Sequence, residues 1–192
     1  MKYQLMHNDD ICGRTALNYR EYIDKAVEVT GLDKVLIQRT MDIQTMMDFI
    51  ITNVDRHLNY FGFLRDAHTL KYISHSPIFD NVRSFLTSSK ILELNGRLSD
   101  SVVLSFKANT FNSLERDNLK SVEEQNRHLI DTSILPKVDE VRRFYATATG
   151  GDENYLGAES VAHLYEKKLH FFQEWQKGRS LGSIYSACIS RR

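Results

Sequence analysis

The sequence is poor in the residues that interrupt or cross-link a chain. Its 192 residues include only two prolines, nine glycines and two cysteines. Cys12 and Cys188 lie near opposite ends, without a Cys-x-x-Cys pair or a Cys/His cluster. That spacing disfavours both a disulfide framework and a zinc site. We therefore expect a protein of the reducing cytoplasm.

The sequence also has no excess of charge of one sign and no long apolar run. The chain has 25 basic and 25 acidic side chains, so no overall field attracts nucleic acid or an acidic membrane surface. No apolar run approaches a membrane span, and the first residues lack the apolar core of a signal peptide. No linker or low-complexity tract divides the sequence. We predict one domain over residues 1–192, with neither a nucleic-acid nor a membrane partner.

Helical periodicity dominates the sequence. Apolar residues at helical spacing over 16–27 end at Gly31, a natural helix terminator. A second helix is predicted from Asp33, as N-cap, into a loop near Asn53. The chain before Asp55 is thus predicted to be helical. The remainder of the chain, 114–177, is again predicted to be helical. It is expected to contain three helices: one over 117–130, one starting at Pro136 and one over 159–177. The aromatic stripe of 159–177 is predicted to be core, and the apolar runs 91–94 and 102–106 stay unassigned.

The most informative stretch is 49–66 together with 77–81. An apolar helix leads into a loop with Asp55 and Asn59, and the strand-like runs 61–64 and 70–74 predict a hairpin that returns Asp80 towards Asp55. Transfer of a γ-phosphoryl group needs a carboxylate near the acceptor hydroxyl and oxygen ligands for Mg²⁺. The pattern therefore favours Asp55 as catalytic base and Asp80 as metal ligand. His68 and His75 flank the second strand without a metal-ligand spacing and are predicted to be surface residues.

These residues also carry a family resemblance. The motif Asn53-x-Asp55-Arg56-His57, followed by Phe61-Gly62-Phe63 and by Pro77-x-Phe79-Asp80, resembles the catalytic loop and metal-binding segment of HipA-like kinases. These are bacterial serine/threonine kinases, often the toxin of a toxin–antitoxin pair. The resemblance covers mainly residues 48–81. It implies a kinase C-lobe fold, mainly α with a small β-hairpin. It also implies Mg²⁺ and ATP as cofactors, Asp55 as base and Asp80 as metal ligand. Asn53, Arg56 and His57 are predicted to support the loop, since a guanidinium can pair with nearby carboxylates and an imidazole can hydrogen-bond loop carbonyls.

The sequence departs from the family pattern in two places. The family's metal-binding asparagine, five residues after the base, is Tyr60 here, and an asparagine stands one residue earlier at Asn59. Either Asn59 reaches the metal through a one-residue shift, or the second metal site is lost, because a phenol is a poor Mg²⁺ ligand. No glycine-rich loop or strand-borne lysine precedes the motif, and Lys25 and Lys34 fit solvated surface. We expect an N-lobe from another chain or an upstream segment, so this chain alone is expected to be inactive.

Three interpretations remain open at this point. The chain is the C-lobe portion of a HipA-like kinase, with an N-lobe-bearing or antitoxin protein as partner. Alternatively, it is a degenerate, non-catalytic binding or regulatory module derived from a kinase, which Tyr60 and the missing lysine favour. The third interpretation is an unrelated helical interaction domain with a coincidental motif, which would be excluded if Asp55 and Asp80 faced one cleft.

Overall fold

The computed structural model of the chain describes residues 3–6, 17–53, 55–58, 61–79, 81, 84–86, 108, 110–148 and 156–189. The candidate metal ligands Asp80 and Asn59 and the neighbouring Tyr60 lie outside this described part. The unassigned apolar runs 91–94 and 102–106 lie outside it as well.

The first two helices begin and end where their capping residues allow. Helix α1 spans Tyr19–Thr30, and Asn18 closes a capping box with Glu21 at its start. Gly31 ends it with a φ of 68°, in the left-handed region where glycine carries no side-chain penalty. Helix α2 spans Lys34–Ile50, and the Asp33 side chain accepts the Leu36 N–H at its N-cap. The predicted glycine stop and aspartate cap are both confirmed.

A small antiparallel sheet has the strand order β1-β2-β3. The predicted hairpin is present as β2, Phe63–Asp66, and β3, Tyr72–His75, each shifted by about two residues towards the C-terminus. The prediction that the whole N-terminal part is helical is wrong, because Tyr3–Met6 forms β1 and pairs with β2. The partner of β1 lies some sixty residues away, so no local pattern marks this strand.

Four further helices follow, in the later part of the described chain. They are α3, Glu115–Leu119; α4, Val138–Ala148; α5, Leu156–Gln176; and α6, Leu181–Ile189. The predicted helix over 117–130 is wrong beyond its first turn: α3 ends at Leu119, and Glu124–Asn126 is a 3₁₀ turn. A tertiary contact explains the break, since Asp42 of α2 accepts the Glu123 N–H and the Asn126 side-chain amide. Helix α6 was not predicted.

Two groups of buried side chains form the core. One packs α1 and the start of α2 against the sheet through Tyr22, Ile37 and Phe63. The larger one packs α5 against the end of α2 and against α4, α3 and α6. The predicted core stripe of α5 is confirmed, with Phe172 fully buried and Trp175 nearly so. The chain is mostly helical with a small sheet, as predicted. Within the described ranges, no helix is both long and apolar enough to cross a membrane.

Candidate functional site

The candidate site begins where α2 ends. The Asn53 N–H donates to the carbonyl oxygen of Asp48 at 2.8 Å, which turns the chain out of the helix. Thr52 sits in this turn with a φ of 53°. A β-branched residue rarely adopts that conformation, so the surrounding contacts hold the turn in a strained shape. Both Thr52 and Asn53 are buried. The loop carrying Asp55 therefore starts from a fixed position on the helix.

Arg56 holds the loop against α2. Its guanidinium is buried and donates from Nε to Asp48 Oδ2 and from Nη2 to Asp48 Oδ1, both at 2.9 Å. This two-pronged geometry is the strongest way for an arginine to bind a carboxylate. Asn53 adds a third bond to the same group, from Nδ2 to Asp48 Oδ1 at 3.1 Å. Three residues of the candidate site thus share one buried hydrogen-bonded unit.

The same guanidinium reaches the segment that contains the second candidate carboxylate. Arg56 Nη1 donates to the carbonyl oxygen of Phe79, and Nη2 donates to Asn81 Oδ1, each at 2.6 Å. Asn53 Nδ2 also lies 3.3 Å from Asn81 Oδ1. Phe79 and Asn81 are the residues on either side of position 80. The loop that carries Asp55 is therefore bonded to Phe79 and Asn81 mainly through Arg56, with a longer contact from Asn53.

A further backbone contact ties the following turn to α2. Residues Ser84–Leu86 form a 3₁₀ turn in which Phe85 has a φ of 56°. The Phe85 N–H donates to the carbonyl oxygen of Ile51 at 2.7 Å. Ile51 directly precedes the strained Thr52, so two residues with unusual backbone conformation lie next to this contact. Strained residues of this kind cluster at functional sites.

Asp55 itself is half-buried, unlike the fully enclosed Arg56. Its N–H lies 3.3 Å from Asn53 Oδ1, which orients the start of the loop. His57 is half-buried as well. A base that must reach a substrate hydroxyl needs this partial exposure, whereas the supporting arginine does not. The catalytic role of Asp55 and the supporting roles of Asn53, Arg56 and His57 stay predictions.

The electrostatics of the site depend on Asp48. Burial raises the pKa of Asp48, and its hydrogen bonds from Arg56 and Asn53 act in the opposite direction. The arginine therefore stabilises a carboxylate that would otherwise favour the protonated form. The sequence did not mark Asp48 as a site residue. An acid eight residues before an arginine, between the apolar pairs 46–47 and 49–50 of α2, was the available signal.

A second buried ion pair lies next to the end of α2. The Lys168 ammonium contacts Glu115 Oε1 and lies 4.4 Å from the centre of the Phe49 ring. Burial lowers the pKa of Lys168 well below its ordinary value. Glu115, Asp48 and Asn53 all line a cavity of about 10 Å³, which is room for one water at most. The Lys168–Glu115 pair thus joins α5 to α3 next to the candidate loop.

One of the two histidines that flank β3 is not a surface residue. His75, predicted at the surface, is instead 8% exposed and packs against the Phe63 ring, with centroids 5.0 Å apart. Its position on the inward face of β3 explains the error. Among the described residues no three His, Cys, Asp or Glu side chains form a metal-ligand group.

Comparisons of the full chain with protein-family models, with curated proteins and with solved structures found no match. The family resemblance rests on the motif residues alone.

Proposed function

We propose that this chain is the C-lobe portion of a HipA-like serine/threonine kinase that transfers a phosphoryl group from Mg²⁺-bound ATP. Asp55 is the base for the acceptor hydroxyl, and Asp80 is the Mg²⁺ ligand. The observation that supports this assignment is the Arg56 guanidinium. It bonds the loop of Asp55 to Phe79 and Asn81, the two neighbours of Asp80.

Such a bond is what the reaction needs from its scaffold. Phosphoryl transfer depends mainly on positioning and on charge neutralisation, so the base and the metal ligand must keep a fixed separation. The bonds of Arg56 to Asp48 of α2, to Phe79 and to Asn81 support such a role. The arginine is buried and therefore acts on the loop rather than on substrate.

The rest of the kinase site lies elsewhere. A glycine-rich phosphate loop and a strand-borne lysine belong to the N-lobe, which another chain or an upstream segment would contribute. An N-lobe-bearing protein, or an antitoxin that regulates it, is therefore the partner that the proposal names. Asn59 takes the second metal-ligand role if the loop is shifted by one residue.

Calorimetric titration of the chain with Mg²⁺-ATP tests the proposal, first alone and then with an N-lobe-bearing protein added. Asp80→Asn should abolish the Mg²⁺-dependent part of binding, because it removes one anionic ligand. Asp24→Asn is the matched control, since this carboxylate is exposed on α1. Asp55→Asn should retain nucleotide binding but lose phosphoryl transfer to a protein acceptor.

The proposal would be overturned by equal binding in Asp80→Asn and Asp24→Asn, or by no Mg²⁺-dependent binding under either condition. A second function would then take its place, that of a non-catalytic binding or regulatory module. Tyr60, at the position of the family's asparagine, favours this alternative. If Tyr60→Asn creates Mg²⁺-dependent ATP binding that the natural chain lacks, loss of catalysis is the better account. No gain would argue against it.

A further inference from the structure

A large apolar groove lies beside the end of α2. It has a volume of about 670 Å³ and runs between the end of α2, the turn at Phe85 and helix α4. Its lining is mostly apolar and includes Met47, Ile50, Ile134, Val141, Phe144 and Tyr145. The rings of Phe144, Tyr145 and Phe85 follow one another edge to face from the rim inwards, with centroid distances of 5.4 and 5.8 Å.

The rim of the groove is unusually exposed for its chemistry. Ile134 is 79% exposed and Phe144 is 66% exposed, values at the upper end for large apolar residues in the described chain. Contiguous apolar surface of this kind marks interaction sites on soluble proteins. The groove therefore lies beside apolar side chains that project from the same face.

The charges on α4 indicate what covers this face. Glu140 and Arg143 are exposed and, within the described residues, neither has an ion-pair partner. The other charges of the helix are satisfied, since Arg142 pairs with Asp139 and with Glu159 of α5. Arg143 and Phe144 each neighbour Glu140 on the helix surface, because they follow it by three and four residues. The hydrogen-bond partners of the two charged groups, among the described residues, are backbone groups, since Glu140 accepts the Lys137 N–H and Arg143 Nε donates to the Asp139 carbonyl oxygen. An acid and a base that have no ion pair in the described part of the chain thus lie beside an exposed phenylalanine.

We propose that a second copy of this chain covers the groove, with the two α4 helices antiparallel across a two-fold axis. In a two-fold interface each contact occurs twice, so Glu140 of one copy meets Arg143 of the other and the reverse. Three residues correspond to about 4.5 Å along a helix, so the axis passes between these charges. Phe144 of each copy then enters the groove of the other. Since this chain supplies both charges and both apolar parts, the face is complementary to itself.

Sedimentation and light scattering of the 192-residue chain over a range of concentrations test this interface without nucleotide, independently of the proposed kinase activity. We expect a reversible dimer at twice the 22.3 kDa of one chain. An interface built on one helix is small, so the affinity should be weak. Phe144→Ser should give a monomer. Val35→Ser is the matched control, because Val35 is 64% exposed but lies outside the groove. It precedes the groove residue Met47 by twelve residues on α2, which is about 18 Å along the helix.

Charge reversal makes the test specific to a second copy. Glu140→Arg alone and Arg143→Glu alone should each be monomeric, because each places like charges opposite one another. An equimolar mixture of the two variants should form a heterodimer, in which opposite charges meet again. Circular dichroism verifies that each variant is folded. A natural chain that stays monomeric at every concentration, a dimer unaffected by Phe144→Ser, or a mixture that does not associate would each overturn the proposal.

Discussion

Replacing Arg56 by methionine should destabilise the whole domain. Arg56 is 1% exposed and donates two hydrogen bonds to Asp48, one to the Phe79 carbonyl and one to Asn81. The Asp48 side chain is only 12% exposed, so water cannot replace these bonds. Methionine keeps much of the apolar volume but leaves a buried carboxylate bonded only to Asn53 within the described residues. The loop of Asp55 would then be connected to Phe79 and Asn81 only by the longer bond from Asn53 to Asn81, within the described residues.

The expected loss of unfolding free energy follows from the burial of the Arg56–Asp48 pair. Removing one member of a buried ion pair costs about 3 to 5 kcal/mol, because it leaves an uncompensated charge. We expect the lower part of that range, about 3 to 4 kcal/mol, since Asn53 still donates to Asp48. With a urea dependence of about 2 kcal/mol per molar, the unfolding midpoint should fall by about 1.5 to 2 M. Trp175, the single tryptophan and a buried one, reports the transition by its fluorescence.

The stability lost in Arg56→Met should also depend on pH. Without Arg56 the pKa of Asp48 rises further, because burial is then opposed only by Asn53. An acid whose folded-state pKa exceeds its unfolded value binds more protons when folded, so stability falls as the pH rises. The variant's deficit should therefore be smaller at pH 5 than at pH 8.

Two controls decide whether the pair is the cause. Arg39→Met, on the exposed side of α2, should change stability by less than about 0.5 kcal/mol. The double variant Asp48→Leu/Arg56→Met should recover most of the lost stability, since no member of this pair is then left buried without its partner. A cost below about 1 kcal/mol for Arg56→Met, or a double variant no more stable than the single one, would refute the reasoning.

Two other buried groups give further predictions. Asp42 accepts hydrogen bonds from Tyr19, Gln38, Asn126 and the Glu123 N–H, whereas an amide in its place offers only one acceptor oxygen. Asp42→Asn should therefore lower the free energy of unfolding by about 2 to 3 kcal/mol. Urea denaturation measures this, and an unchanged unfolding midpoint would contradict it. Burial lowers the pKa of His75 in the folded protein, so as the pH falls the unfolded chain is protonated at this residue before the folded one. The free energy of unfolding should therefore fall by up to about 1.4 kcal/mol per pH unit below about pH 6.5. His75→Phe should reduce that acid slope in thermal melts, and an identical slope would exclude His75 as its source.

Local chemistry explains which parts of the fold the sequence could predict. Helix ends at Gly31 and Asp33 depend on the residue itself, through a left-handed backbone and a side-chain cap. The hairpin and the core stripe of α5 follow from apolar spacing, which one segment carries alone. The motif from Asn53 to Asp80 indicates a candidate site for the same reason, because its residue types and their order lie within one short segment.

Contacts between distant segments decided the remainder. Strand β1 exists because β2 supplies its hydrogen bonds, and the helix predicted over 117–130 is interrupted because Asp42 binds its backbone and Asn126. Asp48 entered the candidate site only when folding brought its carboxylate to Arg56. The sequence by itself determined the helix boundaries at Gly31 and Asp33 and which residues could do chemistry. Tertiary structure alone decided which charges were buried together and which apolar face was left exposed, because burial depends on neighbours that are remote along the chain.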